Sequence, residues 1–440
     1  MSAKVKWPCK FPDRWTVLPS KRLFPESKER APESDEQLSA TQEYGVISQA
    51  EFMRLAGRRV VQLNQNLELR KRVEIGDFVI SMRSFQGGLE RAWAEGGIRS
   101  SYVVLRPRAD LVPGYYQRLF KSVDYIQTLQ ATANFIRDGQ DMNYQNFVLI
   151  DLPLPPVSEQ LSIAAFLDHE TARIDALIEE QQRLIELLKE KRQAVISHAV
   201  TKGLDPTVPM KESGVEWLGE VPAHWDVARV KNVAKLESGH TPSKDFPEYW
   251  EGGDIPWVSL NDSKQLKVTD YIVETQFMIT ELGVSNSSAR LLPARAVVFT
   301  RDATIGLAAI TTKKMCVSQH LIAWICNETF VLPEYLLLVF YAMEEELDRF
   351  TFGATIKTIG MPDIRKLVTP VPPLAEQAQL VADVNAKREL IDQLIKESNT
   401  ALALYLERRS ALISAAVTGK IDVRGWQPPV SPNQHESLQA

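Results

Sequence analysis

Residues that could perform catalysis are few and do not form a recognisable set. Ser318 and His320 stand two positions apart, a spacing that places both on one face of a strand, but no third group is in position to orient the histidine. A packed or hydrogen-bonded pair is the better interpretation. The six histidines do not cluster at the spacing of metal ligands.

Motifs that would bind a cofactor are also missing from the sequence. There is no GxGxxG or GxxxxGK[ST] phosphate loop, no HExxH zinc motif, and no [ND]PP[YF] tetrapeptide of the amino-methyltransferases. We therefore expect no cofactor, no metal and no catalytic residue in this chain. The sequence favours a non-catalytic binding or architectural subunit over an enzyme.

Composition fits an ordinary globular protein of several domains. The 440 residues are 44% hydrophobic and carry a net charge of −5, and they contain no apolar run of about 18 residues that would predict a membrane helix. The three scattered cysteines are typical of a reducing compartment, so we predict a cytoplasmic protein. Only residues 1–150 are net basic, so a nucleic-acid function cannot be inferred from total charge.

The chain contains an internal repeat. Residues 153–205 align with residues 370–422 at a constant offset of 217 without a gap, and roughly 20 of 53 positions are identical. The copies begin PLPPVSEQ and PVPPLAEQ, and near their ends AVISHAVT matches ALISAAVT. A weaker match precedes them, where Trp7, Pro12 and Trp15 correspond to Trp217, Pro222 and Trp225.

Each repeat predicts a long amphipathic helix. Double prolines precede both copies, neither Pro nor Gly occurs in 159–201 or 374–418, and Gly203 and Gly419 supply stop signals. Apolar residues recur at near-heptad spacing. About 43 residues would form a rod of roughly 64 Å, and pairing the two copies antiparallel would cover their apolar stripes. Oligomerisation through a coiled coil is the alternative.

The segments before the helices predict mixed α/β bodies. Strands are expected at 76–81, 102–105, 255–260, 296–300 and 321–325, and a helix within 335–350. The predicted organisation is a body at 1–152, a helical spacer at 153–208, a second body at 209–369, a second spacer at 370–426 and a disordered tail at 427–440. The fold class is α+β: two mixed α/β domains joined by two long antiparallel helices in a pseudo-twofold coiled-coil spacer.

These features resemble the specificity subunit of type I restriction-modification systems. The resemblance rests on the PLPPVSEQ and PVPPLAEQ hinges, the repeated helices ending AVISHAVTKG and ALISAAVTGK, the TPSKDFPEYWEGGDIPWVS loop, and WLGEVPAHWDVARVKN at 217–232. It covers nearly the whole chain. The first body departs from the pattern because it has the acidic stretch Phe24–Gln42 in place of a TPSKDFPEYWEGGDIPWV loop.

The resemblance implies two target recognition domains, each binding half of a bipartite, asymmetric site on double-stranded DNA. It implies that the helix pair sets the gap and docks two modification subunits, which bind S-adenosylmethionine and methylate adenine. A restriction subunit with translocase and nuclease activity could join them, and no membrane is involved. The alternatives are a coiled-coil scaffold that organises other proteins without reading DNA and, least favoured, an enzyme with an unrecognised site.

DNA recognition requires side chains that pair with base edges and groups that bind phosphates. Candidates in the first body are Arg83, Ser84, Gln86, Arg91, Arg99, Asn143 and Gln145. Candidates in the second body are Thr241, Ser243, Lys244, Asn261, Lys264, Thr300, Arg301, Ser318, Gln319 and Lys357. Arg192 and Arg409 occupy equivalent helix positions and are predicted to bind a partner.

Overall fold

The computed structural model describes residues 4–57, 59–60, 67–81, 83–132, 143–353 and 357–428. The chain divides into two compact units, and the division falls inside both long helices. The first unit contains residues 1–182 and 400–440, and the second contains residues 183–399. Each unit therefore holds one body together with part of each long helix. The predicted tail lies almost entirely outside the described residues, and the predicted domain limits stay predictions.

The body of the first unit is a small α/β fold. Its strands are Thr16–Pro19 (β1), Glu26–Ser27 (β2), Leu38–Thr41 (β3), Gly45–Ser48 (β4), Lys71–Val73 (β5), Phe78–Ile80 (β6), Glu90–Arg91 (β7), Gly96–Ile98 (β8), Val103–Leu105 (β9) and Asp151–Leu154 (β10). Its helices are Ser20–Leu23 (α1), Gln49–Ala56 (α2), Ser84–Gly87 (α3), Pro113–Phe120 (α4), Val123–Gln130 (α5) and Tyr144–Val148 (α6). The first long helix, Val157–Lys202 (α7), follows β10.

The body of the second unit is also α/β and has a larger sheet. Its strands are Met210–Glu212 (β11), Glu220–Pro222 (β12), Asp226–Arg229 (β13), Ala234–Ser238 (β14), Ile255–Val258 (β15), Tyr271–Ile272 (β16), Phe277–Ile279 (β17), Val297–Thr300 (β18), Ala308–Thr311 (β19), Cys316–Val317 (β20), Leu321–Cys326 (β21), Thr351–Phe352 (β22), Thr358–Ile359 (β23) and Val368–Val371 (β24). Its helices are Val230–Val233 (α8), Ser263–Leu266 (α9), Glu281–Ser285 (α10), Pro333–Ala342 (α11), Glu344–Arg349 (α12) and Met361–Ile364 (α13), and the second long helix is Leu374–Val417 (α14).

The two bodies share a sheet plan although their sequences differ. The order is β2-β9-β6-β7 in the first unit and β14-β21-β18-β19-β16 in the second. In the first sheet every pair is antiparallel, and in the second only β16 and β19 are parallel. A two-stranded ribbon leads into the long helix of each body: β1 pairs with β10, and β13 pairs with β24. The duplication therefore includes the bodies as well as the helices.

The long helices begin and end where the sequence predicts. Helix α7 begins directly after Pro155-Pro156 and α14 after Pro372-Pro373, because proline suits the start of a helix and interrupts a preceding strand. Past the end of α14, Gly419 has a φ of 73°, and a Cβ there would lie 2.5 Å from Cγ of Pro12. Only glycine meets both conditions at this position.

Within each unit the two helices run antiparallel. In the first unit Ile163 and Leu167 of α7 share a buried core with Ile413 and Val417 of α14. In the second unit Ile196, Ala199 and Val200 of α7 share a core with Leu380 and Val384 of α14. Residues near the start of α7 therefore pack with residues near the end of α14, and residues near the end of α7 pack with residues near the start of α14. The predicted α+β fold with two long antiparallel helices is confirmed.

Equivalent glutamines join each body to its long helix. Gln160 is fully buried, its Oε1 accepts from the Val112 amide at 2.8 Å, and its Nε2 donates to the Pro155 carbonyl at 2.9 Å. Gln377, the corresponding residue of the second repeat, has the same arrangement with Leu332 and Pro372 at 2.9 and 2.8 Å. Each glutamine satisfies buried backbone groups at the start of α4 or α11, so it fixes the body against the helix.

The second unit has an additional polar link between body and helix. Arg388 on α14 is 8% exposed and donates to both carboxylate oxygens of Asp270 at 2.9 and 3.0 Å. Its guanidinium also lies 5.4 Å from the ring centre of Tyr341. The equivalent repeat position is Thr171, whose hydroxyl donates to the Leu167 carbonyl. This link is therefore a feature in which the two halves of the duplication differ.

Candidate nucleic-acid interface

In the second unit, several candidate residues come from loops that pair through the backbone. The His240 amide donates to the Val317 carbonyl at 3.0 Å, and the Ser318 amide donates to the Val258 carbonyl at 2.8 Å. The Arg301 amide donates to the His320 carbonyl at 3.0 Å. These bonds bring the segments that carry Thr241, Asn261, Arg301 and Gln319 together at the ends of β15, β18 and β20.

Close packing fixes the loop before Thr241. A Cβ on Gly239 would lie 2.0 Å from the Ser318 carbonyl oxygen, which no side chain can accommodate. The backbone of this loop therefore rests directly on the segment that carries Gln319. The neighbouring indole of Trp257 is 5% exposed and donates to the His240 carbonyl at 3.0 Å.

Four side chains at this place form a hydrogen-bonded series. His320 Nδ1 lies 2.8 Å from Asp302 Oδ2, and His320 Nε2 lies 3.3 Å from Gln319 Nε2. The Thr241 hydroxyl bonds to Gln319 Oε1. Asp302 is 9% exposed, whereas Gln319 is exposed. The series therefore runs from a buried carboxylate to an amide at the surface.

Arg301 lies beside this series and beside a hairpin. Its Nε is 3.7 Å from Asp302 Oδ1, and its carbonyl accepts from the Ile359 amide at 2.9 Å. The Ala303 amide donates to the carbonyl of Lys357, whose exposed ammonium is 3.6 Å from Asp348. The β22–β23 hairpin thus adds Lys357 to the same surface, while residues 354–356 between the strands lie outside the described part of the chain.

Two of the predicted residues are buried beneath this surface. Thr300 is fully buried; its hydroxyl donates to the Thr304 carbonyl at 2.5 Å and accepts from the Leu307 amide at 3.0 Å. Ser318 is 1% exposed. Neither side chain can touch DNA without rearrangement, because both are buried.

The remaining candidates of the second body are exposed. Ser243 and Lys244 lie in the loop before Trp250, which donates to the Ser243 carbonyl at 3.1 Å, while the Ser243 hydroxyl is 3.2 Å from Asp245. Asn261 follows β15, and its amide nitrogen is 3.4 Å from Ser259 Oγ. Lys264 is exposed on α9. Lysines at the surface suit contacts with phosphates.

In the first unit, Arg83 and Arg99 line one cleft of about 570 Å³. Residues 37–43 also line it, and 37–42 are the end of the acidic stretch that stands in place of the aromatic loop of the second body. Both arginines are exposed. The cleft brings these two candidates together, and their predicted role in DNA recognition stays a prediction.

The other candidates of the first body are not brought into this cleft. Arg91 donates to Gln117 at 3.1 Å and lies 4.3 Å from the ring centre of Trp93, and burial lowers its pKa. Asn143 caps helix α6 by accepting from the Gln145 and Asn146 amides. Ser84 is buried, and its hydroxyl oxygen accepts from the Ser81 amide at 2.9 Å. Gln86 and Gln145 are exposed.

Arg192 and Arg409 form ion pairs between the long helices. Arg409 donates to the two oxygens of Asp175 at 2.6 and 3.1 Å in the first unit. Arg192 Nε lies 3.2 Å from Asp392 Oδ1 in the second unit. The structure shows these helix contacts, and the predicted role in partner binding stays a prediction.

Asp302 and His320 are the participants that the sequence did not identify as part of a binding surface. Their only sequence signal is adjacency: Asp302 follows Arg301, and His320 follows Gln319. The pairing of β18 with β21 brings the two segments together. Within the described ranges, no group of three His, Cys, Asp or Glu could hold a metal ion. No helix in the same residues is long and apolar enough to cross a membrane.

Comparison with known proteins shows what this chain is similar to. Residues 222–400 match the type I restriction modification DNA specificity domain. The chain is 29% identical over 192 residues to the type I restriction enzyme MjaIX specificity subunit of Methanocaldococcus jannaschii, a match that covers 43% of this chain and 44% of the relative. It is 24% identical over 338 residues to the EcoKI specificity subunit of Escherichia coli K12, covering 74% of this chain and 68% of that one.

Solved structures have the same fold. One is a chain from a structural study of the assembly and conformational transition of the type I R-M system. It aligns with a TM-score of 0.70 at 16% identity, covering 94% of this chain and 100% of that chain. The HsdS subunit of Thermoanaerobacter tengcongensis aligns at 0.55, also at 16% identity, covering 94% and 99%. The chain is thus similar in sequence and in fold to type I restriction-modification specificity subunits, which agrees with the resemblance of its hinge and helix repeats.

Proposed function

We propose that this chain is the DNA-specificity subunit of a type I restriction-modification complex and that each body binds one half of a bipartite DNA site. The observation that carries this proposal is the convergence of Thr241, Arg301, Gln319 and Lys357 on one surface of the second body. This surface offers the amide and guanidinium groups that read base edges, together with cations for phosphates.

The first body has its own candidate surface, the cleft lined by Arg83 and Arg99. Part of its lining comes from the stretch 24–42, which stands in place of the aromatic loop of the second body, so the two bodies would read different sequences. A helix of 46 residues such as α7 rises about 69 Å. That length is compatible with holding two half-sites one or two turns of DNA apart, about 34–36 Å per turn.

The long helices also offer a repeated surface for a partner. Apolar side chains are exposed at three pairs of equivalent positions in the two repeats: Val157 and Leu374, Leu177 and Leu394, and Leu187 and Leu404. Singly exposed apolar side chains are common on protein surfaces, so the support comes from their repetition at equivalent positions and not from their exposure alone. Their duplication fits two copies of one modification subunit, because equivalent surfaces bind equivalent partners.

In this proposal the chain itself is not an enzyme. The modification subunits supply S-adenosylmethionine and the chemistry, so the assembled complex methylates adenine, and restriction subunits give it nuclease activity when they are present. The scaffold alternative shares the helical surface but makes no use of Arg301, Gln319 or the cleft residues.

The test is to map methylated adenines by long-read sequencing in cells that carry the complex and in cells that lack only this chain. The proposal predicts one gapped, asymmetric motif that disappears when the chain is removed. A complex that assembles with its modification subunits but methylates no gapped motif would contradict DNA reading and favour the scaffold. Substituting Arg301 by alanine is expected to weaken recognition, whereas the exposed Lys235, whose ammonium is 2.6 Å from Glu237 on β14, serves as a control.

A further inference from the structure

Gln319 lies at the surface end of the hydrogen-bonded series that begins at Asp302. The donors and acceptors in this series follow from chemistry. A carboxylate only accepts, so the proton on His320 Nδ1, 2.8 Å from Asp302, belongs to the imidazole. In the neutral ring Nε2 is then an acceptor, so the amide nitrogen of Gln319, at 3.3 Å, donates to it.

The other end of the amide has a matching partner. The Thr241 hydroxyl donates to Gln319 Oε1, because a carbonyl oxygen can only accept. Flipping the amide end for end would place Oε1 against the lone pair of His320 Nε2 with no proton between them. The hydrogen-bonded series therefore selects one orientation of the Gln319 amide. Without these partners the exposed amide group could rotate and exchange the positions of its oxygen and nitrogen.

Each amide atom of Gln319 retains one more hydrogen-bonding position, a second N–H on Nε2 and a second lone pair on Oε1. The side chain is exposed, so these positions are available to a ligand. An exposed donor and acceptor in a fixed order can distinguish ligands that present the same groups in a different order. Among base pairs, adenine offers N7 as an acceptor and the N6 amino group as a donor, whereas guanine offers two acceptors.

We propose that Gln319 reads an adenine in the half-site bound by the second body, and that Thr241, His320 and Asp302 are positioning residues that fix its amide. This inference rests on the proposed function. Nε2 donates to adenine N7, and Oε1 accepts from the N6 amino group. Guanine is rejected because its O6 would face Oε1 with no proton between the two oxygens.

The residues around the hydrogen-bonded series restrict the movement of its side chains. Asp302 is 9% exposed, and Arg301 lies 3.7 Å away and balances its charge. The loop that carries Thr241 packs against the Ser318 carbonyl at Gly239, where no side chain would fit. A reading group that is fixed before binding loses little conformational freedom on contact with DNA. The hydrogen-bonded series thus gives a role to the buried carboxylate of Asp302, which is otherwise unexpected at a surface suited to DNA, a polyanion.

The test uses the complete complex with its modification subunits. Competitive binding is measured on a panel of sites in which every position of the motif carries each of the four bases. Gln319→Ala is expected to lower discrimination at one A·T position by about 5- to 150-fold and to leave all other positions unchanged. Gln276→Ala, which removes another exposed glutamine of the same unit, serves as the matched control and is expected to change none.

Two further variants separate reading from orientation. His320→Phe and Thr241→Val keep Gln319 but remove its acceptor or its donor. Each is expected to lower the preference for adenine over guanine at the same position, and adding Gln319→Ala to either should relax that position fully. The thermal midpoint of Gln319→Ala should equal that of the wild type, because the side chain is exposed.

The inference is overturned if Gln319→Ala leaves every base preference unchanged, relaxes a position that is not A·T, or weakens binding equally at all positions together with a lower thermal midpoint. These results would leave the proposed function intact, because the wild-type complex would still read a gapped motif. A wild-type complex with no gapped motif would overturn both.

Discussion

Arg409 on α14 donates two hydrogen bonds to Asp175 on α7, and the equivalent residues of the repeat form the same ion pair with the helices exchanged. The first pair has distances of 2.6 and 3.1 Å, and in the second pair Arg192 Nε lies 3.2 Å from Asp392 Oδ1. The repeat alignment relates the two arginines to each other and the two aspartates to each other. The duplication has therefore preserved a contact between the two copies.

These ion pairs are expected to specify alignment more than to stabilise the fold. The side chains of Arg409 and Asp175 are 34% and 50% exposed, and exposed pairs contribute about 0–1 kcal/mol. A double-mutant cycle with Arg409→Ala and Asp175→Ala should give a coupling free energy within this range in thermal or denaturant unfolding. A coupling above about 2 kcal/mol would show that the pair is a main source of stability.

The apolar core between body and helix is expected to provide the stability. Leu167 is fully buried in the core of the first unit, so Leu167→Ala should lower the free energy of unfolding by about 2–5 kcal/mol. Leu161 is 55% exposed on the same helix, and Leu161→Ala is the matched control with little expected effect. Equal losses from the two variants would contradict the assigned core.

The helices are the part of the fold that the sequence predicts best. Their predicted limits, 159–201 and 374–418, differ from the observed α7 and α14 by at most two residues, because prolines and glycines act on the backbone where they stand. The strands around Phe78, Val298 and Trp324 were also predicted, since short buried strands read as apolar runs. The Asp302–His320 contact could not be predicted, because it depends on how β18 and β21 pair.

The candidate site also has features that the sequence predicts and features that only the structure reveals. Residue type identified Arg301, Gln319 and Arg99 as exposed or partly exposed polar groups on the bodies, but it could not distinguish them from Thr300, which is buried. Threonine is equally common at a surface and beneath one, and only tertiary structure decides. The cleft of the first body was missed because residues 37–43 carry no aromatic loop motif to mark it.

The buried glutamines of the helix starts are expected to matter for stability. Gln160→Ala would leave the Val112 amide and the Pro155 carbonyl without partners, and each buried unsatisfied group costs about 1–3 kcal/mol. The thermal midpoint should fall clearly, whereas Gln182→Ala, an exposed glutamine of the same helix, should leave it unchanged. If both variants melt with the wild type, Gln160 does not anchor the body.

Cysteine labelling should report on the core of the second unit. Burial raises the pKa of Cys316 to about 11 and that of Cys326 to about 12. Only the thiolate reacts, so at pH 8 about one Cys316 thiol in a thousand would be reactive. As the pH is raised toward the pKa, the thiolate fraction increases about tenfold per pH unit. Peptide mass spectrometry after iodoacetamide treatment should find buried Cys316 and half-buried Cys326 unmodified in the native protein and modified after unfolding; rapid native labelling of Cys316 would contradict its burial.

The repeated apolar positions of the helices are expected to bind the modification subunits. Leu187→Asp combined with Leu404→Asp places charges at two equivalent exposed sites and should abolish co-purification of the partner with the full-length chain. The thermal midpoint should change little because both side chains are 51% or more exposed. Retention of both partner copies by this variant would place the docking surface elsewhere.

The claim that each body reads one half of a divided site is tested most directly by exchanging the first body, residues 1–152, for that of another type I specificity subunit. Methylated adenines are then mapped by long-read sequencing for the original and the exchanged complex. We predict that one half of the gapped motif changes while the other half and the gap length are kept. A change in both halves, or no change in either, would contradict the account.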